Sequence, residues 1–392
     1  MTTRLAWPRR LSLTQLAATA ILLGLGLATL FSTSPADFRK QLIWVAAGVV
    51  AYAGAAALDH RRLQGVAAGL YVGCVLGLLA VHFTGHSALG ARRWLSIAGF
   101  PLEPSELSKL VMVIVLARYL SSRPGPVGPR EMAVACALAA PPLLLILIQP
   151  DLGTAIVVSA LLLGMLFLSR ASRLGLLAIG LMAVAAVPLA LRLLHGYQRQ
   201  RLEVFLDPGR DPLGAGYNLL QARIAVGSGG LFGQGFMHGV QGTLGYVPER
   251  TTDFVFAVYA EQFGLAGCAA LLAVFGLLLL ALVRAAALCR DPFGRLLIGG
   301  VAVMIFTQVM ENAGMNIGIT PIAGIPLPMI SYGGSALITD LAALGLVQSV
   351  MLRRRMVVHG AGRGLEPYLL TDHGTVRLPV VDPGPRLAPT RS

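Results

Sequence analysis

Long apolar runs separated by short polar segments make up most of the chain. Such a run can cross a membrane as a helix when it holds about 20 mostly apolar residues. We predict membrane spans over residues 13–32, 41–58, 64–83, 106–121, 132–149, 152–169, 174–194, 254–283, 296–317 and 333–352. The pattern therefore predicts an all-α polytopic membrane protein with about ten transmembrane helices.

Two segments depart from this pattern. Residues 195–253, between the seventh and eighth predicted spans, form a long loop that is rich in glycine. Residues 356–392 are rich in proline, glycine and arginine and lack periodicity, which is typical of disorder. We therefore predict a ten-span transmembrane domain over residues 1–355, followed by a disordered cytoplasmic tail.

Basic residues orient the predicted spans. Arginines are concentrated in the flanks on one side, whereas the short loops on the other side hold Arg39, Lys40, Arg92 and Arg93. The positive-inside rule then places both termini in the cytoplasm. The long loop of residues 195–253 is accordingly predicted to be extracytoplasmic.

The composition agrees with a membrane protein. Hydrophobic residues make up 56% of the 392 residues and charged residues 12%, which leaves too little polar surface for a soluble protein. The net charge of +13 reflects topology in such a chain, so we expect no nucleic-acid partner. The four cysteines are far apart and beside apolar runs, and we predict no disulfide framework.

Charged residues at membrane depth are costly and often functional. Glu106 and Lys109 lie three positions apart at the start of the fourth span, so they share a helix face and can pair. The pair could neutralise itself so that the helix enters lipid, or it could line a polar cavity. Asp151, in the break between the fifth and sixth spans, could cap a helix or face the same cavity.

The ninth span carries a polar stripe. Gln308, Asn312 and Asn316 recur every four residues, so they face protein or water. Residues 318–336 follow, and their three prolines preclude a regular helix. A half-helix that opens near Ser331 would aim its backbone N–H groups at an anion, for which a phosphate is an obvious candidate.

The segment VPERTTDFVFAVYAEQFG, residues 247–264, joins the long loop to the eighth span. Asp253 stands outside the membrane at the start of that span, where it could cap the helix or act on a substrate. Glu261 lies about 12 Å deeper, at 1.5 Å per residue, and is interpreted as a wall of a polar cavity. The glycines before this segment do not have the spacing of a nucleotide-binding loop.

Several long motifs resemble the SEDS family (shape, elongation, division and sporulation proteins), and within it the RodA branch more than the FtsW branch. The resemblance covers residues 10–355. The motifs that carry it are GARRWL (90–95), EPSELSK (103–109), QPDLGTA (149–155), GAGYNLLQARIAVGSGGLFGQGF (214–236), PERTTDFVFAVYAE (248–261) and NAGMNIGITPIAGIPLPMISYGGSA (312–336).

The resemblance implies the SEDS fold and a peptidoglycan glycosyltransferase of the bacterial cytoplasmic membrane. Such an enzyme polymerises lipid II into glycan strands for cell-wall elongation and cell shape, with a class B penicillin-binding protein as its transpeptidase partner. The family's essential aspartate falls on Asp253. Its Glu–Lys pair falls on Glu106 and Lys109, and its QPD aspartate on Asp151.

Four positions depart from the family's common pattern. Thr252 stands where histidine is frequent, Gln262 replaces the second of two usual acids, and Glu311 stands where an apolar residue is usual. Gln234 stands where a lysine often follows the glycines. This last departure weakens any assignment of pyrophosphate binding to a lysine in the loop.

The implied reaction joins the 4-hydroxyl of one lipid II to the anomeric carbon of another and expels undecaprenyl pyrophosphate. An α donor and a β product require one inverting displacement, with a base for the hydroxyl and charge stabilisation for the leaving group. We expect Asp253 to be the base. The candidates for the leaving group are Arg93, Lys109, Arg223 and the amides near Ser331. A divalent cation could share this task, although no carboxylate cluster demands a metal.

Other functions are compatible with the same residues. A lipid II flippase or another transporter would also carry intramembrane charges, but inverted repeats would favour it and we find none. A scaffold that only recruits the transpeptidase leaves the buried charges unexplained. A division enzyme of the FtsW type is a further alternative. Polymer formation from lipid II separates the enzymes from the other classes.

Overall fold

The computed structural model of the chain describes most of its residues and divides into two units, Met1–Arg354 and Arg355–Ser392. The described residues are 12–84, 86–88, 91–97, 100–123, 125, 127–193, 196–207, 211, 214–353, 368–371 and 374–377.

The described part of the first unit is mainly helical. Its helices are α1 (Leu13–Thr33), α2 (Pro35–Ala57), α3 (His60–Thr84), α4 (Pro104–Ser121), α5 (Pro129–Ile148), α6 (Leu152–Leu168), α7 (Arg173–Leu193), α8 (Gly196–Leu206), α9 (Ala215–Ser228), α10 (Val240–Thr243), α11 (Val255–Leu288), α12 (Pro292–Ile317) and α13 (Gly334–Arg353).

Each predicted span coincides with one of these helices. Among the described residues, α1, α2, α3, α5, α11, α12 and α13 are long and apolar enough to cross a membrane. The helix α6 and the first part of α7 are shorter and apolar, and α4 carries the charged pair. These helices confirm a polytopic α-helical membrane protein. That all ten cross the membrane, and that the long loop is extracytoplasmic, stay predictions.

Short strands add to the helices. After α3, the strands β1 (His86–Ala88), β2 (Ala91–Ile97) and β3 (Phe100–Leu102) form an antiparallel sheet with β2 in the middle. The apolar pattern did not predict it, because these strands are short and lie between two apolar runs. In the second unit, β4 (Tyr368–Thr371) pairs antiparallel with β5 (Gly374–Arg377). Both lie in the predicted tail, whose disorder stays a prediction.

Local signals set where the helices begin. A proline occupies the first turn of α2, α4, α5 and α12, where its missing N–H costs nothing. The Ser34 hydroxyl accepts from the Asp37 N–H at the start of α2. The Asp291 carboxylate accepts from the Gly294 N–H at 3.0 Å at the start of α12.

Asp291 also joins α12 to α3. Its carboxylate lies 3.2 Å from Nε2 of His60, which is buried at the first position of α3. The His60 ring stacks on the ring of Phe293. The hydrogen bond with His60 outweighs the effect of burial, so the pKa of the Asp291 carboxyl lies below its ordinary value.

The helix α13 packs closely along α2 because small residues line their contact. Gly48 of α2 faces Leu341, and Gly345 of α13 faces Ala55, where an added β-carbon would lie 2.9 Å from the alanine β-carbon. Helices in a membrane gain packing contacts when such residues let them approach. The contact fixes α13, which carries the buried acid Asp340.

The helix α11 is broken at Gly264, whose φ of 66° and ψ of −168° lie in a region almost restricted to glycine. The loop of residues 229–235 passes beside the break and bonds to the backbone groups that the break leaves without helical partners. The bonds run from Gln234 N to Glu261 O (2.9 Å), Gly235 N to Gln262 O (3.1 Å), Leu265 N to Gly230 O (2.9 Å) and Ala266 N to Leu231 O (3.0 Å). These bonds hold the loop glycines close to the backbone of α11, and the sequence did not indicate the break.

Candidate active site

Asp253 lies in the turn that leads into α11, and its backbone is held by the polar stripe of α12. Its carbonyl oxygen accepts hydrogen bonds from Nδ2 of Asn312 at 2.9 Å and from Nδ2 of Asn316 at 3.1 Å. The Asn316 side-chain oxygen accepts from the Ala257 N–H at 3.0 Å. The same N–H also donates to the Phe254 carbonyl at 3.1 Å, so Asn316 adds a second acceptor in the first turn of α11, whose N-cap, Phe254, contributes no side-chain bond.

The segment 318–333 clamps the same turn from another side. The Ser331 hydroxyl donates to the Thr252 carbonyl at 2.6 Å, and the Tyr332 N–H donates to the Thr251 carbonyl at 2.7 Å. Asn312 also donates to the Ile325 carbonyl at 2.7 Å, which ties the irregular segment to α12. The backbone that carries Asp253 is therefore fixed from two directions.

The side chain of Asp253 lies beside Gly324, and so does the guanidinium of Arg201. Gly324 has a φ of +72°, and a β-carbon there would lie 3.3 Å from Oδ2 of Asp253 and 3.2 Å from Nη1 of Arg201. Nη1 of Arg201, from α8, donates to the Ile322 carbonyl at 3.2 Å. A carboxylate and a guanidinium thus converge beside a glycine at the start of α11.

Arg201 is a member of this site that the sequence did not reveal. It is one of several arginines in the loop, and no periodic pattern distinguishes it from Arg199 two positions earlier. Arg199 has an exposed side chain that pairs with Glu203 within α8. The two arginines differ in tertiary position, which a single sequence does not encode in any local signal.

Glu106 and Lys109 form an ion pair of 2.6 Å between Oε2 and Nζ, with side-chain exposures of 5% and 0%. With the Gln308 amide oriented to satisfy its neighbours, its oxygen accepts from Nζ of Lys109 at 2.8 Å. Asp340 and Asp151 lie close enough to Lys109 to attract its charge. The pair is therefore enclosed by protein and belongs to a buried polar cluster.

Asp340 was not predicted as a member of this cluster, although the sequence carries a signal for it. It is the one acid within the apolar helix α13, and it is 1% exposed. The reasoning applied to Glu106, that a carboxylate at membrane depth needs a partner, applies equally to this residue.

The stripe on α12 connects the buried cluster to Asp253. Gln308 bonds to Lys109, and Asn312 and Asn316 bond to the Asp253 carbonyl. Successive members of the stripe are about 6 Å apart along the helix axis. Of the two predicted explanations for the stripe, hydrogen bonding between elements is the one that these contacts document.

Asp151 is 2% exposed and caps α6, because its Oδ1 accepts from the Thr154 N–H at 3.2 Å. Its charge also acts on Lys109. Asp151 therefore caps α6 close to the Glu–Lys pair, and its alternative predicted position, facing a cavity with Glu106, stays a prediction.

Glu261 is fully buried, and its carboxylate binds backbone. Oε1 accepts from the Gln241 N–H at 2.7 Å, and Oε2 accepts from the Gly242 N–H at 2.9 Å. These amides open the short helix α10 in the loop before α11. The geometry gives Glu261 the position of an anchor for this loop.

The predicted anion site at Ser331 meets amides that already have partners. The N–H groups of Ser331, Tyr332 and Gly333 donate to Leu327, to Thr251 and to the Gln41 side chain respectively. The Ser331 hydroxyl additionally accepts from the Leu327 N–H at 2.8 Å. These groups hold the irregular segment together in this structure.

The two remaining predicted arginines differ in what the structure describes. Arg223 of α9 donates from Nη2 to the carbonyl of Gly318, the left-handed residue that ends α12, at 3.3 Å. A cation there complements the helix C-terminus. Arg93 lies in β2, and its side chain falls outside the described part of the structure. Among the described residues, no three histidine, cysteine or acidic side chains are grouped so as to hold a metal.

Comparisons with known proteins bear on this site. A profile of the family of FtsW, RodA and SpoVE, described as "Cell cycle protein", matches residues 16–356. The peptidoglycan glycosyltransferase MrdB of Escherichia coli strain K12 is 42% identical over 320 residues, which cover 81% of this chain and 86% of the relative.

Solved structures resemble most of the chain. One describes the structural coordination of polymerization and crosslinking by a peptidoglycan synthase complex. It is 35% identical, with a TM-score of 0.73, covering 86% of this chain and 96% of its own. The rod shape determining protein RodA of Thermus thermophilus is 32% identical, with a TM-score of 0.67, covering 88% of this chain and 97% of its own.

Proposed function

The chain belongs to the FtsW, RodA and SpoVE family of cell cycle proteins, and on that premise we propose that it is a peptidoglycan glycosyltransferase that polymerises lipid II. The product is the glycan strand of the elongating cell wall. The RodA-like relatives favour the elongation role over the division role. The observation that carries the proposal is that the side chains of Asp253 and Arg201 both lie beside Gly324, at the N-terminal end of α11.

Asp253 is the general base of this reaction. Its carboxylate takes the proton from the 4-hydroxyl of the acceptor sugar as that oxygen bonds to the anomeric carbon of the donor. The bond from that carbon to the pyrophosphate oxygen breaks, and undecaprenyl pyrophosphate leaves with its electron pair. The clamped backbone at residues 251–253 supports this role, because a base must be held within hydrogen-bond reach of its proton.

Arg201 is the cation that receives the leaving pyrophosphate. Its guanidinium shares the neighbourhood of Gly324 with the Asp253 carboxylate, and the missing β-carbon lets both side chains approach the backbone there. Guanidinium groups bind phosphate through paired N–H donors. Among the cations nominated from the sequence, Arg223 bonds to the end of α12, and Arg93 remains a candidate.

Lys109 acts through the protein rather than by direct contact with phosphate. It is fully buried and already surrounded by Glu106, Gln308 and acids. This cluster fixes the position of α12, and the polar stripe of α12 binds the backbone carbonyl of Asp253. Asp151 joins the cluster, and Glu261 and Ser331 hold the adjacent loop and segment in the same way.

The setting of the enzyme follows from the same premise. Both termini lie in the cytoplasm of a bacterial cell, and the site opens on the extracytoplasmic side, as the distribution of arginines supports. A class B penicillin-binding protein is the transpeptidase partner, because a similar chain of known structure belongs to a peptidoglycan synthase complex.

The test uses the purified protein with lipid II and the transpeptidase partner, and measures glycan strands by gel electrophoresis. Asp253→Asn is expected to lose polymerisation by at least about 100-fold, because the base no longer accepts a proton. The matched control is Glu203→Gln, an acid-to-amide change at an exposed ion pair of the same loop. It should keep the wild-type rate.

Two results would oppose the proposal. Polymer made by Asp253→Asn at the wild-type rate would remove the base assignment. A wild-type protein that moves lipid II across a bilayer without polymerising it would instead identify a transporter. Thermal unfolding of each variant shows that a lost rate does not come from a lost fold.

A further inference from the structure

A lateral cavity of about 310 Å³ lies between α3, α4 and α5, apart from the residues of the candidate active site. Its wall is mainly apolar, and its lining includes Ala68, Tyr71, Val72, Arg118, Tyr119 and Leu138. Val72 is 54% exposed, so the cavity opens toward the side of the bundle that faces lipid. A cavity of this size and lining is suited to an apolar ligand.

The cavity lies at the arginine-rich end of the helices. Arg118 is in the last turn of α4, and Ser122 follows that helix. On α3, the lining runs from Ala67 to Val72, which is about 5–12 Å beyond residue 64, where the predicted span begins, at 1.5 Å per residue. One leaflet is about 15 Å deep, half of a 30 Å hydrocarbon core. The cavity therefore lies within the leaflet on the predicted cytoplasmic side.

Cationic groups stand at the rim of this cavity. Arg118 is exposed and, among the described residues, forms no ion pair. Arg123 lies over the ring of Tyr119, with Cζ 4.9 Å from the ring centroid. A cationic rim above an apolar wall complements an anionic headgroup attached to an acyl chain.

Two residues that line the cavity are joined by a hydrogen bond. The Tyr71 hydroxyl donates to the Leu138 carbonyl at 3.0 Å, which joins α3 to α5. The hydroxyl is thereby satisfied inside the membrane, so the surface that faces the cavity is apolar. An acyl chain can lie against this wall without leaving an unpaired polar group.

We propose that this cavity is a binding site for one anionic phospholipid of the cytoplasmic leaflet. Its phosphate lies against Arg118 and Arg123, and one acyl chain lies in the cavity between α3, α4 and α5. The lipid would fill the space beside α4, the helix that carries Glu106 and Lys109.

The experiment is native mass spectrometry of the full chain in detergent, titrated with dioleoylphosphatidylglycerol or with dioleoylphosphatidylcholine. The two lipids share their acyl chains and differ in net charge. We expect the wild type to bind the glycerol lipid first, with an affinity at least about fivefold above that for the choline lipid. This ratio corresponds to the interaction free energy of one arginine with an anionic lipid.

Two variants separate charge from volume. Arg118→Gln should weaken binding of the anionic lipid about fivefold and leave the choline lipid unchanged. Ala68→Trp places a ring in the cavity and should abolish the first binding step for both lipids. The controls are Arg61→Gln, an exposed arginine at the same end, and Ala53→Trp, on the exposed face of α2; neither lines the cavity.

Equal affinity of the wild type for the two lipids would overturn the proposal. Unchanged lipid binding by Arg118→Gln would do the same, and so would an equal effect of Ala53→Trp and Ala68→Trp. Because Arg118 is exposed, its substitution leaves the packed core intact. Lipid binding by Arg118→Gln therefore tests the proposal even if Ala68→Trp folds poorly.

Discussion

Asn312 of α12 donates a hydrogen bond of 2.9 Å from its side-chain amide to the backbone carbonyl of Asp253. The same nitrogen donates to the Ile325 carbonyl at 2.7 Å. One buried amide therefore links the proposed base to the irregular segment that passes beside it. Asn312 is fully buried, so both bonds lie away from bulk water.

Asn312→Ala should slow polymerisation strongly while the fold persists. The variant removes the bond to the Ile325 carbonyl and leaves the Asp253 carbonyl with its bond from Asn316 alone. The turn at Asp253 can then shift, and a displacement of about 1 Å at a catalytic group can cost about 100-fold in rate. The measurement is the initial rate of glycan formation from lipid II. The control is Thr307→Ala on the same helix, whose hydroxyl bonds to the Val303 carbonyl of its own helix. Equal rates in the two variants would disprove a positioning role.

Arg201→Gln should lower the rate about 100-fold, since it removes a charged donor where negative charge develops on the leaving group. Its matched control, Arg199→Gln, lies two positions earlier in α8 and loses an exposed bond of 2.9 Å to Glu203. Surface pairs of this kind contribute little. Single-turnover rates with lipid II check the difference, and similar losses at both positions would remove Arg201 from the site.

Lys109→Met should destabilise the protein by about 3–5 kcal/mol, because Glu106 is then left as an uncompensated buried charge. The double variant Glu106→Gln with Lys109→Met should lose less than Lys109→Met alone. Denaturant unfolding in micelles of the four proteins of this cycle gives the coupling free energy. The exposed pair Arg199–Glu203, treated in the same way, should yield less than about 1 kcal/mol.

A coupling free energy near zero for Glu106 and Lys109 would contradict the enclosed pair of 2.6 Å that the structure describes. It would also remove the reason for assigning this cluster a role in holding α12.

Glu261→Gln should loosen the loop before α11. A glutamine side chain has one acceptor oxygen where the carboxylate has two, so the Gln241 or the Gly242 amide loses its bond. Hydrogen exchange of that amide should accelerate about tenfold or more, in line with the loss of a charge-assisted bond. The Thr243 amide, which bonds to the Gly239 carbonyl at 3.0 Å, is the internal reference. Unchanged exchange at both amides would show that Glu261 does not anchor the loop.

The positions of the spans could be read from the sequence because each is a long apolar run, and burial of that run in a membrane needs no knowledge of its neighbours. The stripe of Gln308, Asn312 and Asn316 was equally visible, since its period of four places it on one helix face. The partners of the stripe were not visible. They come from a turn and a segment brought near only by the packing of α11 and α12.

The residues of the candidate site were likewise only partly visible in the sequence. Asp253, Glu106 and Lys109 stood out as charges at or near membrane depth, and the family resemblance gave them roles. Arg201 has no such contrast, because it lies in a polar loop where arginines are ordinary. The amides near Ser331 illustrate the reverse case. Prolines correctly indicated an irregular segment, but the partners of its N–H groups depend on tertiary contacts with Thr251 and Gln41.

Gly264 and Gly276 offer a test of the break in α11, because both are glycines within one apolar helix. Gly264→Ala should destabilise the protein and weaken the attachment of the loop of residues 229–235. Its backbone has φ 66° and ψ −168°, a strained conformation that costs an alanine about 1–3 kcal/mol, and the new β-carbon would lie 2.7 Å from the Leu231 carbonyl oxygen.

Gly276→Ala should have the opposite effect on stability. Apart from the neighbouring backbone of its own helix, no atom lies within 4 Å of its added β-carbon, and alanine favours a helix over glycine by about 1 kcal/mol. Thermal unfolding in micelles should therefore rank Gly276→Ala at or above the wild type and Gly264→Ala below it. Equal or reversed ranking would mean that α11 is continuous at Gly264. In that case the loop of residues 229–235 would have no broken backbone to bind, and the four hydrogen bonds that hold it beside α11 would be absent.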